Sequence, residues 1–267
     1  MLAAAIRTMQ ITSADNPLVR RLRRLAESPR ASRTAGRSIA EGLHLVECAV
    51  AAGVAIETIV VSERANEAAR ELALHLTAQG DCRQVSLAVS LYDAISPVEH
   101  GAGILAEIVI EPSALPVAMV ADAVYLDGVQ DPGNVGTLLR TAAAAGIKHV
   151  AAAPGTAFLW APKVLRAAMG AHFALRLYED VNPEKLAAAF DGERLSADAH
   201  AAESIYSAEW GMQATVWLFG SEGQGLSAAA EAVAQRRLRI PVDASVESLN
   251  VAAAAAVCLF EQARRRA

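Results

Sequence analysis

Three short polar loops, at 127–140, 220–226 and 240–251, are the stretches of this chain best placed to do chemistry, the last of them holding Ser245, Glu247, Ser248 and Asn250. Asn134 and Arg140 belong to the stretch 127–140, which reads Asp-Gly-Val-Gln-Asp-Pro-Gly-Asn-Val-Gly-Thr-Leu-Leu-Arg. Glu222 sits in the glycine-rich run Gly220-Ser-Glu-Gly-Gln-Gly225, and Ser248 and Asn250 close the polar loop Asp243-Ala-Ser-Val-Glu-Ser-Leu-Asn250. Arg140 emerges from an otherwise apolar run, and a guanidinium there calls for a carboxylate or phosphate partner. A purely structural Arg140–Glu222 pair would meet the same need. Glycines 220, 223 and 225 permit either tight turns or close backbone approach to a ligand. The residue after Asn250 begins an alanine-rich helix, whose first N–H groups offer donors to an anion.

Metal, thiol and dinucleotide chemistry are poorly supported. Cys48, Cys82 and Cys258 are scattered, with no C-x-x-C and no histidine at ligand spacing, as expected for reduced thiols and no metal centre. Neither glycine-rich loop gives G-x-G-x-x-G or a P-loop G-K-[ST], which counts against a nucleotide-dependent oxidoreductase.

The elements that must position these loops alternate strand and helix from residue 117 onward. Strands are expected at 118–126, 149–152, 173–178, 194–197, 215–219 and 238–240, with helices between them, which implies a mostly parallel sheet covered on both faces. The polar loops then fall at strand carboxyl ends, where such sheets bind ligands. Two prolines within 111–116 separate this domain, 117–267, from a small α/β unit at 41–111. Residues 1–40 read as a basic arm with a helix starting near Asn16-Pro17, and 28–38 read as a loop.

Net charge is −5 over 267 residues, yet residues 1–40 hold eight arginines against two acids, a local +6 that leaves −11 on the rest. Arg20, Arg21, Arg23, Arg24, Arg30, Arg33 and Arg37, with Arg7 ahead of them, form either a phosphate-binding footprint or a solvated arginine face. The amino terminus lacks the basic flank and length of a signal peptide, and the longest uncharged apolar run, ten residues at 251–260, is half of what a membrane span needs. A cytoplasmic protein without a membrane segment is the expectation.

Together the three loops resemble the motifs of the SpoU (TrmH-type) RNA ribose 2′-O-methyltransferases, through 127–142, Leu218-Phe-Gly-Ser-Glu-Gly-Gln-Gly-Leu-Ser227 and Ile240-Pro-Val-Asp-Ala-Ser-Val-Glu-Ser-Leu-Asn-Val251. The segment Ala161-Pro-Lys-Val-Leu-Arg-Ala-Ala-Met-Gly170 is also similar, and Ile11-Thr-Ser-Ala-Asp-Asn-Pro17 with Gly36-Arg-Ser-Ile-Ala-Glu-Gly42 resembles the substrate-binding domain that often precedes the methyltransferase.

The resemblance implies a SPOUT-type α/β domain with a deep trefoil knot, bound S-adenosylmethionine, and a homodimer whose active site uses both subunits. The implied reaction is 2′-O-methylation of a ribose in structured RNA, ribosomal in preference to transfer RNA; a non-catalytic RNA-binding module is the competing reading. It casts Arg140, Asn134, Glu222, Ser248 and Asn250 as catalytic, and Leu218, Phe219, Gly220, Ile240 and Leu249 as cofactor-binding, largely through backbone. Arg140 would act either as a base or as a charged stabiliser of the alkoxide. Ser248 and Asn250 would face substrate, while Lys163 and Arg166 would extend the RNA surface of the arginine-rich segment. Val242, Ala244 and Ala252 depart from the family pattern of Met, Gly and Ser.

Overall fold

The computed structural model describes residues 9–80, 82–96, 98 and 101–267; Arg7 lies outside them. The chain forms two compact units: one comprises Met1–Glu111 with Trp160–Arg166, the other Pro112–Leu159 with Ala167–Ala267.

The first unit runs β1 (Met9–Ile11), α1 (Pro17–Glu27), α2 (Pro29–Ala35), β2 (Arg37–Glu41), α3 (Leu43–Ala51), β3 (Ile56–Ser62), α4 (Glu67–Ala78), β4 (Arg83–Leu87), α5 (Val89–Asp93) and β5 (Ile104–Val109). Its sheet has the order β1-β4-β3-β5-β2, with β5 antiparallel to both neighbours. Residues 9–40 are therefore built into this sheet and its core. Leu18, Val19, Leu22 and Leu25, at helical spacing on α1, are buried against Ile39, Val60, Val85 and Leu105, and burying each large side chain contributes ~1.5–3 kcal/mol. The expected loop at 28–38 is instead a helix followed by a strand. Pro29 occupies the first helical position, Ser28 caps Ala31 N at 3.2 Å, and Gly36 takes the left-handed conformation (φ +62°) that ends the helix.

The second unit runs β6 (Ala123–Asp127), α6 (Pro132–Ala144), β7 (His149–Ala152), α7 (Pro162–Ala168, whose first residues group with the other unit), a 3-10 turn at Ala171–Ala174, β8 (Arg176–Tyr178), α8 (Pro183–Ala189), β9 (Glu193–Ala197), β10 (Thr215–Gly220), α9 (Ala228–Val233), β11 (Arg236–Leu238) and α10 (Val251–Arg266). The sheet order is β11-β9-β10-β6-β7-β8 and every pair is parallel. The expected strand at 173–178 begins later because residues 171–174 turn around buried His172, whose Nε2 lies 2.6 Å from the carbonyl oxygen of Leu159.

Helix α10 is fixed at its far end. Trp217 on β10 is fully buried and donates through Nε1 to Gln262 Oε1 at 2.8 Å. Arg265 lies 4.7 Å from the Trp210 ring centre and donates to the carbonyls of Ile205 and Ala208, while Arg266 pairs with Asp122. Buried Glu261 accepts from Arg264 and Arg265, and these bonds hold its pKa down at about 2. These contacts set where the first turn of α10, and hence Asn250, is placed.

Candidate active site

Neighbouring strands β6 and β10 end side by side, with Gly220 opposite Asp127 in register. Buried Asp127 accepts from Ser227 N at 2.6 Å, which ties the loop after β10 back to the end of β6. Between them residues 221–225 close on themselves through Ser221 N to Gly225 O (3.0 Å) and Gly225 N to Ser221 O (2.9 Å). A side chain at 220 would collide with the backbone of Gly225 and Leu226, so that position requires glycine. The closure holds Glu222 at the loop's outer corner.

Asp131 caps α6, accepting from Asn134 N at 2.7 Å, and Pro132 takes the first helical position. Asn134 then bridges the other two motifs. Its Nδ2 donates to Glu222 Oε1, and its Oδ1 accepts from Asn250 Nδ2 at 3.1 Å. The Asn250 oxygen in turn caps α10 at Ala252 N (3.0 Å) and Ala253 N (3.3 Å). Three of the five expected catalytic residues thus form one hydrogen-bonded chain.

The other two lie apart from it. Arg140 is exposed and makes no ion pair among the described residues; Glu222 is taken by Asn134, so the alternative Arg140–Glu222 pair does not form. Six residues along α6 correspond to about 120° around the axis and about 9 Å along it, which separates Arg140 from Asn134 within one chain. Ser248 lines a small cavity of about 100 Å³ together with Ile240, Val242, Leu249, Ala254 and the segment Ala197-Asp198-Ala199. It sits there with two of the expected cofactor residues and is no member of the hydrogen-bonded Asn134 chain.

That cavity lies at the carboxyl end of β9 and offers apolar walls plus one carboxylate and one hydroxyl. At this volume it takes only part of a molecule the size of S-adenosylmethionine; its apolar walls match the face of a purine, and Asp198 is an acceptor for hydroxyl or ammonium donors. Asp198 was not singled out from sequence; the parallel pairing of β9 between β10 and β11 brings it here. Leu218 and Phe219 are buried, Leu218 in the core under one sheet face and Phe219 stacked 6.1 Å from Trp217 on the other. Only their backbone can serve a ligand.

Of the expected RNA-contacting residues, Arg20, Arg24 and Arg30 are exposed and form no ion pair among the described residues, and Arg33 is exposed as well. Arg23 pairs with Glu27 at 2.8 Å on the surface of α1. Arg21 and Arg37 direct their charge toward Glu57 and Glu107: Arg21 reaches fully buried Glu107 at 2.8 Å, with Arg37 at 3.6 Å from its other oxygen. In the same unit Arg166 pairs with Glu41 at 3.1 Å, and Lys163 is exposed. Among the described residues no cluster of His, Cys, Asp or Glu could hold a metal ion, and no helix is long and apolar enough to cross a membrane.

Comparison with known proteins places this geometry. The family model of the SpoU rRNA Methylase family matches residues 122–260, and that of the MRM3-like substrate binding domain matches 16–106. An uncharacterized tRNA/rRNA methyltransferase of Synechocystis is 32% identical over 96% of this chain and 94% of its own length. The 23S rRNA (guanosine(2553)-2′-O)-methyltransferase RlmP of Bacillus subtilis is 29% identical over 94% of this chain and 98% of its own. The crystal structure of AdoMet-bound rRNA methyltransferase from Sinorhizobium meliloti superimposes with a TM-score of 0.83 at 26% identity, covering 97% of this chain and 98% of that one. With its three polar loops gathered at the carboxyl ends of an all-parallel sheet and a substrate-binding domain ahead of them, the chain belongs to the SpoU rRNA methylase family.

Proposed function

We propose that this protein methylates a ribose 2′-hydroxyl of ribosomal RNA, with S-adenosylmethionine as methyl donor. The observation that carries the reading is the Asn250–Asn134–Glu222 chain, which joins all three motif loops beside the Ile240–Ser248–Leu249 cavity. When bound, S-adenosylmethionine supplies an electrophilic methyl group on a sulfonium sulfur. The protein's task is to hold the ribose oxygen in line with that methyl and to stabilise charge as the oxygen loses its proton.

Asn134, with oxygen and nitrogen both committed, is fixed in one amide orientation and with Glu222 orients the ribose. Ser248 and Asp198 lie on the cofactor side, with backbone near Gly220, Ile240 and Leu249 supplying further contacts. Arg140 stabilises the developing alkoxide through its guanidinium, whose five N–H groups are donors only; phosphate or water takes the ribose proton.

Because Asn134 and Arg140 face different directions on α6, the complete site combines Asn134 of one subunit with Arg140 of another. Exposed Val242, Val246, Leu249 and Phe260 offer apolar surface for such a homodimer. A trefoil knot belongs to this reading through the family resemblance, supported by the return of α10 from edge strand β11 to pack on α6 and β10. RNA approaches along exposed Arg20, Arg24, Arg30 and Arg33, with Lys163. The name of the Bacillus subtilis relative, a 23S rRNA methyltransferase, supports ribosomal over transfer RNA as substrate, and in this reading the reaction takes place in the cytoplasm.

Calorimetry against S-adenosylmethionine, NAD and ATP tests the cofactor assignment. Saturable binding of S-adenosylmethionine alone is expected; binding of NAD or ATP in its place would contradict it.

A further inference from the structure

Next to the Asn134–Glu222 pair lies a larger cavity, about 490 Å³, that methyl transfer as described leaves unused. Its walls include Gln130, Gln224, Pro154, Gly155 and Ser221, with Glu222 shared between the cavity and the hydrogen-bonded chain. We propose that this cavity receives the base of the nucleotide being methylated, and that the carboxamides of Gln130 and Gln224 read its edge. The assignment rests on the ribose methyltransferase reading and adds to it the residues that set nucleotide specificity.

Size and stiffness fit that role. Pockets of about 300–1,000 Å³ hold small-molecule ligands, and they are usually preformed. Here the floor is braced: Gly128 N donates to Thr156 Oγ1 at 3.1 Å, and that hydroxyl donates to Leu126 O at 3.0 Å. The opposite wall is the closed 221–225 loop, anchored through Ser227 to Asp127.

The polar lining decides the ligand's chemistry. It contains the carboxylates of Asp127 and Glu222 and neither lysine nor arginine, so a phosphate would be repelled. What remains are the hydroxyls of Ser221 and Ser227 and two neutral carboxamides, Gln130 and Gln224, which are exposed and make no side-chain hydrogen bond among the described residues. A carboxamide presents one donor group and one acceptor, the pairing that base edges display. RNA enzymes and readers take unstacked bases into such pockets and hydrogen-bond their exposed edges. With Glu222 at the boundary, ribose falls toward Asn134 and the base toward Gln130 and Gln224.

The test uses the full-length protein. Once the methylated site in ribosomal RNA is mapped, hairpin RNAs spanning it are made with G, A, C, U or inosine at the target position. For wild-type protein, kcat/KM should favour one base by about 10- to 100-fold, the discrimination one well-made base contact confers. The double variant Gln130→Ala/Gln224→Ala should bring the five substrates to within a few-fold of each other, chiefly through KM, with S-adenosylmethionine affinity and the thermal midpoint unchanged. Retained discrimination in the double variant, or none in the wild type, would overturn the assignment while leaving the methyltransferase reading intact. A wild-type protein that methylates no ribosomal RNA would overturn that reading and this one with it.

Discussion

Asn250 donates through Nδ2 to Asn134 Oδ1 at 3.1 Å, joining the first turn of the C-terminal helix to the first turn of α6 across 116 positions of sequence. The same side chain caps α10 with its oxygen, so one residue both starts a helix and fixes the site's central amide. The two roles are separable. Asn250→Asp keeps the cap but replaces the donor by a carboxylate facing Asn134 Oδ1; methylation should fall at least about tenfold, as for one lost charge-independent contact of about 1.4 kcal/mol, with the thermal midpoint near wild type. Asn250→Ala should lose activity and also about 1 kcal/mol of stability, read from urea denaturation.

Arg140 is exposed and bears no ion pair among the described residues, so its removal should cost little stability, within about 0.5 kcal/mol for a surface substitution. Turnover should drop by about 10² to 10³, the usual loss when a group that stabilises a developing oxyanion is deleted. Arg140→Ala and Arg140→Lys should both show this, with unaltered S-adenosylmethionine binding. Near-normal turnover of the lysine variant would contradict a positioned guanidinium.

The arginines of the first unit divide into two classes. Replacing Arg20, Arg24 and Arg30 by glutamine should weaken RNA binding and lower the salt slope by about 2, at 0.7–0.9 per phosphate contact, with the fold intact. Arg21→Gln should act on stability instead: it strips fully buried Glu107 of its 2.8 Å partner, at about 1–3 kcal/mol as for a buried acceptor left unsatisfied, since Arg21 is itself part-exposed and Arg37 stays nearby. Filter binding over a salt series and chemical denaturation measure the two effects separately.

His172 is buried, and burial lowers its pKa to about 4 from an ordinary 6.5. The folded protein therefore holds this imidazole neutral where the unfolded chain protonates it. Its contribution is fully present above about pH 6.5 and is lost as pH falls toward 4, amounting to roughly 3 kcal/mol at the converted shift. Stability of the wild type should decline across that window, and His172→Gln, which keeps a donor for Leu159 O, should flatten the decline. Glu261 acts in a lower window, between 4.5 and about 2.

How far the sequence revealed this molecule depends on the kind of signal. The alternation of strand and helix after residue 117 anticipates an α/β sheet because each crossover buries an apolar stripe, while Asn134, Glu222 and Asn250 are marked by the resemblance of their loops to the family motifs. Pro29 and Gly36 misled, since the residues that punctuate loops also start and stop helices. Charge counting could not distinguish Arg20 from Arg21; the difference is made by Glu107, 86 residues away on β5. Asp198 carried no local signal, because only the pairing of β9 with β11 brings it to the Ile240 cavity.

The central claim is that the residues gathered around Asn134 transfer a methyl group to a ribosomal ribose. Its most direct measurement incubates the protein with methyl-labelled S-adenosylmethionine and undermethylated 23S ribosomal RNA, then maps the label by alkaline resistance of the 2′-O-methylated linkage. Label confined to one alkali-resistant dinucleotide, and abolished by Asn134→Ala, is the predicted result. Label on a base, label on transfer RNA alone, or full activity in Asn134→Ala would contradict it.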